Sequence, residues 1–318
     1  MSFHKETSLR VAVVQAGAIQ FNSEACIDKA VTLIKEAAAT GAKVIVFPEA
    51  FIGGYPKGIN YGMSVGTRDP KGREEFRLYL DAAIEVPSSQ TVRLGKASAK
   101  NRCYVVIGVI EREHCTCYCT ILFFGPDGSL LGTHRKVMPT AMERIVWGFG
   151  DGSTLTVVDS PYGRIGSVIC WENYMPMLRM AMYSKDVTLY CAPTADDRDT
   201  WIHTMQHIAI EGRCFVLTAC QFARKKDFPE TMRINLGDSP ESILMRGGSA
   251  IINPMGQILA GPYFEGETIL TADIDMNDIG RARFDLDAAG HYSRPDIFKL
   301  IVNESPMQPV ISKYTEGE

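Results

Sequence analysis

The apolar positions of this chain change their period repeatedly. LRVAVVQ, residues 9–15, is a near-continuous β-branched run and predicts a buried strand. In SEACIDKAVTLIKEAAATG the apolar residues fall three and four apart, which puts Ile27, Ala30, Val31 and Ile34 on one helical face. Asn22 or Ser23 can cap the start of this helix and Gly41 its end. KVIVFPEA is a second buried strand, stopped by Pro48, and a strand-helix-strand unit of this kind pairs its strands in parallel.

Helical patterning from about Gly72 to Ile84, and again after Pro87, leads into the strand CYVVIGVI. A β-rich stretch follows, made of YCTILFF, SLLGTHRKV, TLTVVDS and RIGSVIC and punctuated by the turns GPDG and SPYG. The chain then resumes with a helix near Pro176, the strand VTLYCAP, a helix over DTWIHTMQHIAIEG and the strand CFVLTAC. RGGSAIINP and ETILTADID complete the β part, and the polar segment ARKKDFPETMRINLGDSPES reads as a surface loop free to move. Such alternation predicts an α/β architecture. No internal repeat or low-complexity linker marks a boundary, so one domain over residues 1–318 is expected.

With 318 residues and 46% hydrophobic content the chain can bury a large core, and a net charge of -4 excludes a field that would recruit nucleic acid or an anionic membrane. No apolar run approaches the roughly 20 residues that span a bilayer, and MSFHKETSLR carries charges where a signal peptide is apolar. A cytoplasmic address is expected. The nine cysteines follow no disulfide framework and read mainly as reduced, buried small hydrophobes. Cys115, Cys117 and Cys119 alternate along a strand, but they lack the C-x2-C spacing of zinc sites. His203 and His207, with Glu211 following, share a helix face without the H-E-x-x-H motif. Packing is the expected role for both groups, and no metal is expected.

Three residues stand out chemically. Glu49 ends the apolar run VIVFPEA, where burial raises a carboxyl pKa and makes it a better base near neutrality. Lys136, in THRKVMP, follows an amphipathic strand, and a cation close to a thiol favours thiolate. Cys170 ends the apolar strand RIGSVIC at an expected strand-to-helix turn, where a side chain can stand exposed above a sheet.

FPEAFIGGYPKG, HRKVMPT and VICWENY, in this order, resemble the three signature segments of the nitrilase superfamily of carbon-nitrogen hydrolases. The similarity runs from about Leu9 to Phe298, leaving a short C-terminal tail. The resemblance maps the family's Glu-Lys-Cys triad onto Glu49, Lys136 and Cys170, and its second glutamate onto Glu143 in PTAMERIVWGFGDGS. Cys170-Trp171-Glu172-Asn173 is similar to the nitrilase branch, whereas amidases and carbamoylases show Cys-Tyr-Asp or Cys-Phe-Asp. GGYPKG, WGFGDGS, APTADDRDTW, EGRCFV and HYSRPDIF also resemble plant and bacterial nitrilases.

The resemblance implies a four-layer α-β-β-α sandwich and conversion of a nitrile to carboxylic acid and ammonia through a cysteine thioimidate and thioester, without a cofactor. An amidase or carbamoyl hydrolase with the same triad is the alternative, and a noncatalytic binding protein a more distant one. Tyr55, Trp147 and Tyr174 lie near the triad in sequence and either line a pocket for aromatic or arylaliphatic nitriles or pack the scaffold. Trp171 and Glu172 either help place the turn at Cys170 or that pocket, or have a purely structural role. The resemblance further implies a homodimer or larger homo-oligomer, spirals included, joined through the helices after Pro176 and across Trp201 to Ile210. Met175, Met177, Met180 and Met182 suit such an interface or ordinary core filling.

Overall fold

A computed structural model describes residues 7–308 and 310. The first half of the chain forms β1 (Ser8–Gln15), α1 (Ser23–Ala39), β2 (Val44–Val46), α2 (Pro70–Asp81), α3 (Ser89–Asn101), β3 (Tyr104–Glu113), β4 (Thr116–Phe124) and β5 (Leu130–Arg135). The second half adds β6 (Val157–Ser160), β7 (Gly163–Ser167), α4 (Pro176–Ser184), β8 (Leu189–Thr194), α5 (Asp199–Gly212) and β9 (Phe215–Cys220). It ends with β10 (Phe222–Arg224), β11 (Ile243–Arg246), β12 (Ser249–Ile252), β13 (Ile258–Tyr263), β14 (Thr268–Asp275) and α6 (Asn277–Ala282).

The long strands build two six-stranded sheets, ordered β14-β1-β2-β3-β4-β5 and β13-β12-β9-β8-β7-β6. Side chains alternate across each strand, so β1 turns Val11 and Val13 toward the opposite sheet and Ala12 and Val14 outward. Between the sheets, Val44, Val46, Val106 and Ile121 meet Ile165, Leu189, Phe215 and Leu217 in one core. α1 and α3 cover the outer face of the first sheet through Ile27, Ala30, Ile34 and Leu94. α4 and α5 cover the outer face of the second through Leu178, Met182, Trp201 and Met205. The result is a four-layer α-β-β-α sandwich.

Local chemistry explains the boundaries. Asn22, rather than Ser23, caps α1 by accepting the Ala25 N–H at 3.1 Å, and Gly41 follows the helix in the left-handed region at φ 95°. α5 spans the expected DTWIHTMQHIAIEG segment. β1, β2 and β3 pair in parallel, as do β7, β8 and β9. Two antiparallel pairings separate β3 from β5, so β5 runs in the direction of β3. The C-terminal ends of β2, β3 and β5 therefore emerge together, in the position where α/β sheets bind ligands.

Several expectations need correction. β7 ends at Ser167, so Cys170 lies beyond the strand and opens a short 3-10 helix, Cys170–Tyr174. The polar segment after Gln221 is pinned rather than loose: it carries β10, buries Phe228 and Met232, and anchors Arg233 on Glu75 and Asp69. Cys115 is exposed before β4, while Cys117 and Cys119 are buried. His203 and His207 lie exposed on α5, and Glu211 is taken by Arg179 and Tyr183. Among the described residues no group of three His, Cys, Asp or Glu side chains is placed to hold a metal. Of the four methionines, Met177 is exposed and Met182 fully buried.

Candidate active site

Glu49 is fully buried two residues beyond Phe47, whose N–H still pairs with the Val106 carbonyl. Its backbone crosses Gly108 of β3 so closely that a Cβ there would meet Pro48 O at 2.3 Å and Glu49 Cα at 2.7 Å. Glycine is required at 108 because the chain carrying the carboxylate occupies the space of a side chain. From the second sheet, Gln221 Nε2 donates to the Glu49 carbonyl at 2.8 Å.

Lys136 directly follows β5 and is also buried, with its ammonium between two carboxylates. Nζ donates to Glu49 Oε1 at 2.6 Å and to Glu143 Oε2 at 2.8 Å. The face of Trp147 lies 5.3 Å from Nζ, close enough for a cation-π contact. Glu143 is held in turn by the Tyr55 hydroxyl, which donates to Oε1 at 2.8 Å, and by the Thr140 N–H, which donates to Oε2 at 2.6 Å. Cys119 Sγ donates weakly to Glu49 Oε1 at 3.5 Å, and Glu49 Oε2 has no protein partner among the described residues. One carboxylate oxygen is thus engaged and the other is left to exchange a proton.

Cys170 adopts φ 51°, in the left-handed region that costs a non-glycine residue energy. Asn173 pins this elbow, donating from Nδ2 to the carbonyls of Cys170 at 2.8 Å and Val168 at 3.0 Å. Tyr190 and Arg179 hold Asn173 from behind. The thiol is nearly buried, and Thr194 Oγ1 at the end of β8 donates to Sγ at 3.1 Å. A cavity of about 230 Å³ opens above it, with Tyr55, Glu143, Trp171, Asp196 and Arg198 among its walls.

Burial dominates the electrostatics. It pushes the Glu49 carboxyl up; the Lys136 charge opposes that rise and Glu143 adds to it. Burial works against the Lys136 charge, but Glu49, Cys170 and Glu143 outweigh it and hold the ammonium protonated well beyond its usual range. The Cys170 thiol is pushed up by burial and then by the Glu49 charge, with Lys136 pulling the other way. The resting thiol is therefore protonated and depends on a neighbouring base to become a nucleophile.

The two sheets bring Glu49, Lys136, Glu143 and Cys170 to one end of their shared core. Tyr55 and Trp171 line the cavity over the thiol, and Trp171 is held by Asp196, which accepts from its Nε1 at 2.7 Å. Trp147 lies beneath Lys136 and donates to Tyr79, so it serves as floor and not as cavity wall. Tyr174 stacks edge-on against Trp171 and Trp201, outside the walls of that cavity. Glu172 is withdrawn altogether: both oxygens are used by Val137 N, Ile169 N and His134. The Glu172 side chain is also fully buried, away from the walls of the cavity.

A sequence profile of the family described as carbon-nitrogen hydrolase matches residues 10–284. The chain is 58% identical over 307 residues to an aliphatic nitrilase of Sinorhizobium fredii, covering 96% of this chain and 99% of that protein. The chain belongs to the carbon-nitrogen hydrolase family, on its nitrilase branch. It is also 54% identical over 310 residues to a bifunctional nitrilase/nitrile hydratase of Lupinus angustifolius, covering 95% of this chain and 88% of the relative. Among solved structures, Saccharomyces cerevisiae Nit3, of branch 10 of the nitrilase superfamily, superposes with a TM-score of 0.69 at 24% identity, covering 94% and 99% of the two chains. This carbon-nitrogen hydrolase thus shares its fold with proteins whose sequences have diverged far from it.

Sequence reasoning missed several groups around this hydrolase site: Thr194 on the thiol, Cys119 on Glu49, Asn173 behind the elbow, and Asp196 and Arg198 at the rim. Thr194, Asp196 and Arg198 sit in APTADDRDTW, just past the buried run VTLYCAP. A polar cluster at the end of a buried strand is the signal that marks them. Asn173 stood in the signature after Cys170 without its bracing role being readable, and Cys119 carries no comparable signal, because only the tertiary fold gives it a partner.

Proposed function

We propose that this protein is a nitrilase in which Cys170 attacks a nitrile carbon, Glu49 moves the protons, Lys136 steadies developing charge and Glu143 assists. The observation that carries this reading is the Lys136 ammonium shared by Glu49 and Glu143 beside a thiol on a strained turn. Glu49 takes the Sγ proton as sulfur bonds to carbon, and passes it to the nitrile nitrogen to give a thioimidate. Water then loses a proton to Glu49 and adds to the same carbon, while nitrogen is protonated in the tetrahedral adduct. Cleavage of the C–N bond releases ammonia and leaves a thioester, and a second water hydrolyses it to the acid and restores the thiol. Cleavage of the C–S bond in the same adduct would release an amide, an outcome in line with the name of the lupin relative.

Aromatic or arylaliphatic nitriles suit a second cavity, of about 430 Å³, which shares Tyr55, Lys57, Thr140 and Glu143 with the first and adds Ile59, Met142, Ile145 and Leu236. A second reading, a short aliphatic nitrile, is favoured by the name of the rhizobial relative and by the polar rim of Lys57, Asp197 and Arg198. Incubation with phenylacetonitrile, benzonitrile, an aliphatic nitrile and the matching amides, with ammonia, acid and amide all measured, separates these readings. The expected result is ammonia and acid from nitriles and none from amides; turnover of amides alone would move the protein to the amidase reading.

The same reading treats the chain as one catalytic domain, with its core at about residues 9–298, working as a homodimer or larger assembly through α4 and α5. The exposed Met177 and Ile210 support that face. A cytoplasmic setting agrees with nine free cysteines, and no helix among the described residues is long and apolar enough to cross a membrane.

A further inference from the structure

Glu172 and His134 take no part in the chemistry above, yet their side chains are buried to 0% and 1% exposure directly beside it. Glu172 Oε1 accepts the N–H of Val137 at 2.6 Å, the peptide directly after Lys136. Its Oε2 accepts the N–H of Ile169 at 2.8 Å, directly before Cys170. One carboxylate therefore ties together the two backbone segments that carry the lysine and the nucleophile, which belong to different sheets. His134, two residues before Lys136 on β5, completes the unit with Nε2 3.0 Å from Glu172 Oε2 and Nδ1 2.9 Å from the Thr154 carbonyl oxygen.

Hydrogen-bond chemistry sets the proton count. A carbonyl oxygen only accepts, so Nδ1 carries a hydrogen. With a backbone N–H directed at each of its oxygens, Glu172 faces Nε2 as an acceptor, so Nε2 donates as well. The ring then carries both protons and a positive charge. Burial opposes that charge, but the Glu172 carboxylate and its hydrogen bond outweigh burial, so the His134 pKa is raised. The other charged or titratable groups on the surrounding elements are engaged elsewhere. Lys136 pairs with Glu49 and Glu143, Arg135 with Glu111 and Glu113, and Arg179 with Glu211. Asp151 accepts the N–H groups of Ser153 and Met307, Tyr190 donates to Asn173, and Cys170 accepts from Thr194.

We propose that Glu172 and an imidazolium His134 are positioning residues whose buried ion pair forms a strut fixing Lys136 against Cys170. The proposal rests on the reading that these two groups carry the chemistry, but the state of the strut can be read without turnover. In full-length protein labelled with 15N-histidine, long-range imidazole spectra near neutral pH should show both His134 nitrogens at N–H-type shifts. A His134→Gln variant assigns the signals. A pyridine-type nitrogen on His134 would overturn the proposal, whatever the enzyme turns over.

The functional arm uses Glu172→Gln on whichever nitrile the unmodified enzyme hydrolyses fastest. Misplacement of reacting groups by an ångström costs on the order of 100-fold, so kcat should fall by about that factor with KM held within about twofold. The His134 signals should shift to the neutral ring at the same time. Unchanged kcat, or a loss confined to KM, would overturn the strut and return Glu172 to a substrate contact. Should the variant fail to fold, the spectra of the unmodified protein decide alone.

Discussion

Glu49 performs its proposed task only as a carboxylate, and burial makes that form costly. Its pKa is raised, so kcat/KM should fall as the pH drops through a value above the roughly 4.3 of a free glutamate. Cys119 supplies a weak S–H donor to the engaged oxygen. Removing it with Cys119→Ala takes support from the carboxylate and should move the acidic limb of a kcat/KM profile to higher pH; a limb that stays in place would show that the contact has no electrostatic role. At this scale, legibility followed chemistry that is local in sequence. Glu49, Lys136, Glu143 and Cys170 each sit in a distinctive short segment, whereas Cys119 looks like any apolar neighbour until the fold supplies its partner. Glu172 was legible as a residue that could place the turn at Cys170, but its bond to the Val137 N–H just after Lys136 was not, because it joins two segments far apart in sequence.

Elements were more legible than their ends. The helices announced themselves by apolar spacing and by caps such as Asn22, and the central strands by β-branched runs. β2 proved only three residues long because the chain must leave the sheet to carry Glu49 over β3. The paired β10 and β11 escaped notice inside a polar segment whose few buried residues, Phe228 and Met232, show no period. The crossing over Gly108 gives a test at the same scale. Gly108→Ala places a methyl within 2.3 Å of Pro48 O, so either the β3 backbone or the loop bearing Glu49 must shift. Overpacking of this kind costs about 1–3 kcal/mol, and the accompanying displacement of the base should lower kcat/KM by on the order of 100-fold. Thermal unfolding and steady-state kinetics on the same variant check both; wild-type kinetics would mean that the base tolerates displacement.

At the scale of the whole molecule, the site exists because two sheets with parallel centres are packed with their strand ends together. The first sheet contributes Glu49 and Lys136, the second Cys170 and Thr194, and Glu143 closes the cluster from the connection between them. Neither sheet holds a complete site, which is why the triad is spread over more than a hundred residues of sequence, yet Glu49 and Glu143 meet within hydrogen-bond distance of one ammonium. The measurement that tests this arrangement most directly is the mass of the protein, and of its proteolytic peptides, after acid quenching during turnover of a nitrile. A substrate-derived adduct is expected on the peptide that contains Cys170, absent from Cys170→Ala, which should also be inert. An adduct on Cys119, or turnover retained by Cys170→Ala, would contradict it.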